Sequence, residues 1–355
     1  MGEIGESFIG LTYKPTDVVS EGGLIVFRSS NIQNGCMDYK DIVRVNKNVK
    51  EKLITKKDDL LVCARNGSAR LIGKNAILHE IDANQTFGAF MMVFRSDINH
   101  FVHQLLNTRR YSSQVSENLG ARINQITSSD LSSFEFFFPK GNSEMNKIAA
   151  LLDLLDERIA TQNKIIDKLL SLIKGISSKI FASIKGVEYR MGDIATITNG
   201  NSNVQDAITE AKDGLYPFFD RSEDIKYLPT FLFDKEAIIY PGEGADFMPR
   251  YFKGKFALHQ RCYAIFDFNE IINAQFLYFY LRTKNSYFIR NAVGSTVPSL
   301  RLDTFQKLKV VIPSKNTQHS VSLCLSCIEQ KCYLENEILQ TLLKQKQFLL
   351  RQMFI

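Results

Sequence analysis

Two stretches of the chain carry residue types that could hold phosphate. GSARLIGKN (67–75) sets Gly, Lys and a hydroxyl close together, but five residues separate its glycines where a phosphate-cradling loop needs four. Asn75 stands where Ser or Thr would hold magnesium. GEG (242–244) lacks the third glycine of a dinucleotide loop. His100 and His103 are three apart, outside an HExxH arrangement, and no Asp- or Asn-Pro-Pro-aromatic tetrapeptide of the amino-methyltransferase kind occurs. Cys324 and Cys327 have CxxC spacing with no second pair and sit inside a helical pattern, so they read as helix residues rather than metal ligands. His259, in LHQRCYAIF, reads as a structural strand residue. The expectation is no catalytic residue and no metal site.

What the chain does offer is hydrogen-bonding forks in turns. One group is Arg28, Ser29 and Asn31, followed by Arg65, Asn66 and Arg70. A later group is Arg221, Asp246, Arg250, Lys253, Gln260 and Arg261. Arg reads guanine bidentately, Asn and Gln read adenine, and Lys and Ser usually meet phosphate. Most residues of these types in any protein are solvated turn residues, so only a minority are expected to touch a ligand.

The elements that must position these turns occur twice. The chain opens MGEIGESFIG and writes MGDIATITNG at 191–200. LIVFRSSNI (24–32) then parallels YPFFDRSEDI (216–225), and DDLLVCARNG (58–67) parallels KEAIIYPGEG (235–244). GKNAIL (73–78) parallels GKFAL (254–258). NLGARINQITSSDLSSFEFFFP (118–139) parallels AVGSTVPSLRLDTFQKLKVVIP (292–313), with Gly120 and Gly294, Ile126 and Leu300, and Pro139 and Pro313 in step. No single match is convincing, but their shared order is. Each copy reads as mixed α and β, with short strands between turns and one helix near its end, over 101–115 and 274–291.

After each Pro the pattern changes. Ile148, Leu152, Leu155, Ile159, Gln162 and Ile166 advance by alternating steps of four and three, and the period continues to Ile180. The second copy repeats it, with Leu325, Ile328, Glu335, Leu339, Leu342 and Leu349 among its members. This is the seam of a coiled coil. A helix of roughly 38 residues is about 57 Å long. The short linker after it places the second copy at its far end, so the second helix must run back antiparallel. The spacing therefore predicts a mixed α+β chain: two pseudo-symmetric globular domains separated by two long antiparallel coiled-coil helices. The divisions are 1–142, 143–186, 187–314 and 315–355. Gln162 and Glu335, the polar members of the two stripes, are expected to meet.

Bulk properties agree with these expectations without choosing among partners. The 355 residues are 45% hydrophobic and 23% charged with a net charge of +6, enough for two ordinary domains. The two copies are nearly charge-balanced, with 17 basic and 15 acidic residues over 1–142 and 15 of each over 187–314. A polyanionic partner is permitted, not demanded. The longest apolar runs, such as FGAFMMVF (87–94), fall well short of a membrane span, and Glu3 and Glu6 interrupt any secretory signal. Six scattered cysteines suit a reducing compartment, so the expected location is the cytoplasm.

This organisation resembles the specificity subunit of type I restriction–modification enzymes. The likeness rests on Met191-Gly192-Asp193-Ile194, on Gly294-Ser295-Thr296-Val297-Pro298, on His259 to Ile265, and on a Pro followed twice by a heptad helix. It implies a non-catalytic subunit that binds a bipartite, asymmetric double-stranded DNA target, one half-site per domain with the helices as ruler. It also implies two modification subunits on the helices and restriction subunits recruited further out. S-adenosylmethionine, ATP and magnesium would act on those partners, with no cofactor in this chain. Two departures stand out: no residues lead into MGEI as Tyr189-Arg190 lead into MGDI, and the segment before each helix is reduced to PKGNSEMNKIA and PSKNTQHSV. Two other readings remain open, the specificity portion of a methyltransferase–nuclease with catalysis elsewhere, and a coiled-coil scaffold whose heads bind proteins.

Overall fold

The computed structural model describes residues 1–119 and 124–354. The chain divides into two compact units, one holding Met1–Lys164 and the chain from Glu337 onward, the other Ile165–Asn336. Gly120, expected to match Gly294, lies outside the described residues.

The first unit is built on the antiparallel order β1-β4-β2-β3, from β1 (Glu6–Ile9), β2 (Leu60–Cys63), β3 (Asn75–Ile77) and β4 (Met91–Arg95). The second unit repeats it as β5-β8-β6-β7, from β5 (Thr196–Asn199), β6 (Phe233–Pro241), β7 (Arg250–Leu258) and β8 (Cys262–Phe266). There the sheet continues to Tyr216–Phe219, which lies parallel to β7. The central strand β2 and β6 from Ala237 onward are made of residues that bury on both faces, such as Leu60–Cys63 at 0% exposure.

The sequence repeat is therefore a repeat of packing. Met1 and Met191 are both buried, as are Ile126 and Leu300. The Met1 ammonium donates to Phe134 O at 2.7 Å, and the Met191 amide donates to Leu308 O at 2.9 Å in the same place of the second unit. The units differ beside this bond. Val187–Arg190 pairs antiparallel with Lys309–Ile312. The equivalent residues 134–139 form no ladder among the described residues.

The single helix expected near the end of each copy is broken in two. In the first unit it is α1 (Asn99–Leu105) and α2 (Arg109–Leu119); in the second, α4 (Ala274–Arg282) and α5 (Asn285–Asn291). Between them α3 (Ser128–Ser133) matches the later α6 (Leu302–Gln306). The break has one cause in both units. Thr108 Oγ1 donates to Leu105 O at 2.7 Å and Thr283 Oγ1 to Tyr280 O at 2.6 Å, so a side chain closes the first helix. LHQRCYAIF is likewise not one strand. His259–Arg261 form a tight turn between β7 and β8, closed by Cys262 N to His259 O at 2.8 Å.

The two long helices, Asn142–Ser183 and Lys315–Met353, each contribute to both units. Within the first unit, Phe354 packs in the cluster of Phe101, Met145 and Ala149, while Lys346 pairs with Asp156. Rising numbers on one helix meet falling numbers on the other, so the two segments are antiparallel there. Within the second unit, Val321 and Leu325 share a core with Ile176, Ile180 and Phe181. The heptad stripe is the buried face: Leu152 and Leu325 are at 0% exposure, and Leu155, Ile159, Ile166, Leu339 and Leu342 are buried. Ile148, Ile328 and Leu349 are half-buried, and Leu350 rather than Leu349 turns inward. Gln162 and Glu335 are buried within the stripe, and Glu335 pairs with Lys331 on its own helix. Among the described residues no helix is long and apolar enough to cross a membrane.

Candidate nucleic-acid interface

Each unit carries a cleft at the same place, where the residues after its first sheet strand meet a hairpin. Leu11 forms a parallel bridge with Gly88 in the first unit, and Ser202 forms the matching bridge with His259 in the second. These approaches are close. A Cβ on Gly10 would lie 2.3 Å from Gly88 O, and one on Gly200 would lie 2.0 Å from Leu258 O.

The first cleft, of about 540 Å³, is lined by Thr12, Tyr13, Arg28, Ser29, Asp41 and Phe90 among others. Its floor is a turn that Asn31 builds. Asn31 Oδ1 accepts from Arg28 N at 2.9 Å, and its amide donates to Asp38 O and Asp41 O at 3.0 and 2.9 Å. At 1% exposure Asn31 holds the turn and does not face the cleft. Arg28 pairs with the Asp41 carboxylate at 2.7 Å. Asn66 Nδ2 donates to Ser29 Oγ at 3.1 Å, and its Oδ1 accepts from Ser68 N, which joins the two turns. Lys74 Nζ reaches Ser29 O at 3.3 Å, and burial lowers its pKa. Arg65 lies over the Phe90 ring, 5.2 Å from its centroid. Arg70 is exposed outside this group.

The second cleft, of about 500 Å³, is lined by Asp220, Arg221, Lys226, Glu243, Gln260 and Arg261 among others. Asp220 accepts from Ser222 N at 2.8 Å and from Lys226 Nζ at 2.6 Å. Burial alone would raise its pKa, but these donors together hold it below the usual carboxylate value. Arg250 turns its guanidinium to the Ser222 and Asp220 carbonyls and over the Phe219 ring, so it braces the turn from behind. Arg221 and Gln260 are exposed at the rim. Arg261 Nη1 meets both Glu243 oxygens, at 2.9 and 3.0 Å. Burial lowers the His259 pKa, leaving the ring neutral at pH 7. Asp246 accepts from Asn285 away from this group, and Lys253 is exposed on β7.

The fold thus gathers Arg28, Ser29, Arg65 and Asn66 about one cleft, and Arg221, Gln260 and Arg261 about the other. It leaves Asn31, Arg70, Asp246, Arg250 and Lys253 aside. Sequence reasoning missed Phe90, Tyr13, Glu243 and Lys226. The Phe90 signal was hidden because FGAFMMVF reads as a uniformly buried run. Among the described residues no three His, Cys, Asp or Glu gather as metal ligands.

A profile of the type I restriction modification DNA specificity domain matches twice, over residues 1–171 and 185–344, the two sequence copies. The chain belongs to that family. Relatives include the type I restriction enzyme EcoDI specificity subunit of Escherichia coli, 30% identical over 37% of this chain and 29% of the relative. The EcoKI specificity subunit of Escherichia coli strain K12 is 28% identical over 46% of this chain and 37% of the relative. These matches span about a third of the relatives' length. The crystal structure of a type I restriction-modification S subunit from M. genitalium shares the fold, with a TM-score of 0.71 at 18% identity over 100% of this chain and 94% of that one. The two clefts of this chain share the same bridge while different side chains line them.

Proposed function

We propose that the chain is the DNA-reading, non-catalytic subunit of a type I restriction–modification complex in the cytoplasm. Each cleft reads one half-site of a bipartite, asymmetric duplex target, and the long helices set the gap between half-sites. The observation that carries this reading is the repeated cleft: one backbone frame, built twice, bearing two different sets of forks. Arg28 on one frame, and Arg221, Gln260 and Arg261 on the other, supply the groups that read base edges in a major groove.

Two modification subunits would dock on the long helices. Those helices bury one stripe yet leave a second apolar one exposed: Leu151, Leu154 and Leu172 on the first, and Leu323, Leu334 and Phe348 on the second. Restriction subunits would join further out. Adenine N6-methylation from S-adenosylmethionine, and ATP- and magnesium-dependent cleavage, would belong to those partners. The target adenine must leave the duplex to be methylated, so this chain's task is to set the partner's pocket over it.

Methylome sequencing of cells carrying the modification subunit with and without this chain tests the proposal. One bipartite adenine motif should be lost with the chain. An unchanged methylome beside active partners would overturn the reading.

A further inference from the structure

Phe90 is 57% exposed although it sits in a run whose other members, Met91 to Phe94, are buried at 1% or less. An isolated exposed apolar side chain is ordinary, but this one is held out. Its carbonyl accepts two amides, Ala64 N and Arg65 N, each at 3.0 Å, so its backbone is pinned where the ring projects. The Arg65 guanidinium lies over one side of the ring. The ring lines the cleft beside Thr12, Tyr13 and Arg28. The second unit has no ring at this place. There Arg261 occupies the position of Phe90 and Glu243 that of Arg65, and the two form an ion pair instead.

We propose that Phe90, backed by Arg65, is a stacking element that meets an unstacked base step in the half-site held by the first unit. The half-site held by the second unit is read without unstacking. This rests on the DNA-reading function proposed above. A flat ring with a cation behind it suits a nucleobase face, which is electron-rich and sequence-tolerant. Side chains that enter a base step partly unstack it, and flexible pyrimidine–purine steps yield most readily. The first half-site should therefore contain such a step at the contacted position.

The test uses the full chain assembled with its modification subunits, on duplexes bearing the bipartite motif taken from the wild-type methylome. 2-Aminopurine is placed in turn at each position of both half-sites. With the wild-type complex, emission should rise at each target adenine, which the modification subunits turn out of the duplex, and beyond those positions at one step of one half-site only. Phe90→Ala and Phe90→Leu should abolish that rise and weaken binding to the motif about ten-fold. Phe90→Tyr should keep both. Unchanged thermal melting of the Leu variant guards against a folding defect. No rise beyond the target adenines, or one that Phe90→Ala and Phe90→Leu leave intact, overturns this inference alone. A wild-type complex that marks no bipartite motif overturns the DNA-reading function and this inference with it.

Discussion

Lys346, on the second long helix, sets its ammonium 2.5 Å from the Asp156 carboxylate on the first. The same carboxylate accepts from Gln104 of α1 at 2.9 Å, so one acidic residue ties the antiparallel pair to the domain packed on it. The second unit keeps the device with other chemistry. Glu329, the heptad equivalent of Asp156, accepts from Arg282 Nη1 at 2.6 Å and from Tyr278 Oη at 3.0 Å, both on α4.

Removing half of the first pair should be costly because both groups are mostly buried, at 15% and 25% side-chain exposure. Lys346→Met keeps the stem and removes the charge, and should lower stability by about 1–2 kcal/mol. A double-mutant cycle with Asp156→Asn in urea denaturation should return a coupling of about 1 kcal/mol. Additive effects would show that the contact does not join the helices.

His100 bridges the Asp153 and Asp58 carboxylates at 2.6 and 3.2 Å. The Asp153 hydrogen bond above all raises its pKa to about 9. Because the folded value lies above the unfolded one near 6.5, the stabilisation is fully present below pH 6.5. It is lost as pH rises through about 9. The ring is half-exposed, which discounts the gain to about 1 kcal/mol. His100→Gln should cost that much at pH 6 and almost nothing at pH 9.5 in matched denaturation curves.

Gly10 and Gly200 stand at equivalent close approaches, and neither leaves room for a methyl group beside the facing carbonyl. Gly10→Ala and Gly200→Ala should each destabilise by about 2 kcal/mol or more and loosen the cleft they border. Hydrogen exchange at the amides of Leu11 and Ser202 reads the loosening, since these donate to Phe87 O and Leu258 O. Protection as in the wild type would count against it.

Two arginines should separate into structural and reading roles. Arg250→Ala should lower the melting temperature, because its guanidinium braces the Asp220–Ser222 turn. Arg221→Ala should leave melting unchanged and relax one position of one half-site, at a cost of about 1–3 kcal/mol in specific binding. An equal fall for all sequences would make Arg221 a phosphate contact.

The exposed helix stripe should separate folding from assembly. Leu152→Ala and Leu325→Ala, at fully buried and equivalent positions, should each cost about 2–5 kcal/mol. Leu154→Lys, at 64% exposure, should leave the melting curve unchanged and weaken co-purification with the modification subunit.

The amino-acid order by itself settled the duplication and the heptad stripes. Both depend on local, periodic constraints: Met1 and Met191, or Ile126 and Leu300, must stay apolar to bury, and a 3.5-residue repeat survives any loop change. Antiparallel pairing also followed, because a short linker leaves a stiff helix little choice. Only the tertiary structure decided the rest. Thr108 and Thr283 break helices that are continuous by propensity, since their hydroxyls take a backbone carbonyl. Asn31 and Arg250 have the composition of base readers, yet backbone carbonyls claim them, within one turn for Asn31 and across strands for Arg250. Phe90 turns outward from an apolar run because amides of a neighbouring strand hold its carbonyl. The partners of Arg250 and Phe90 are brought together by long-range pairing, and a linear pattern carries no record of which carbonyl lies within reach of which side chain.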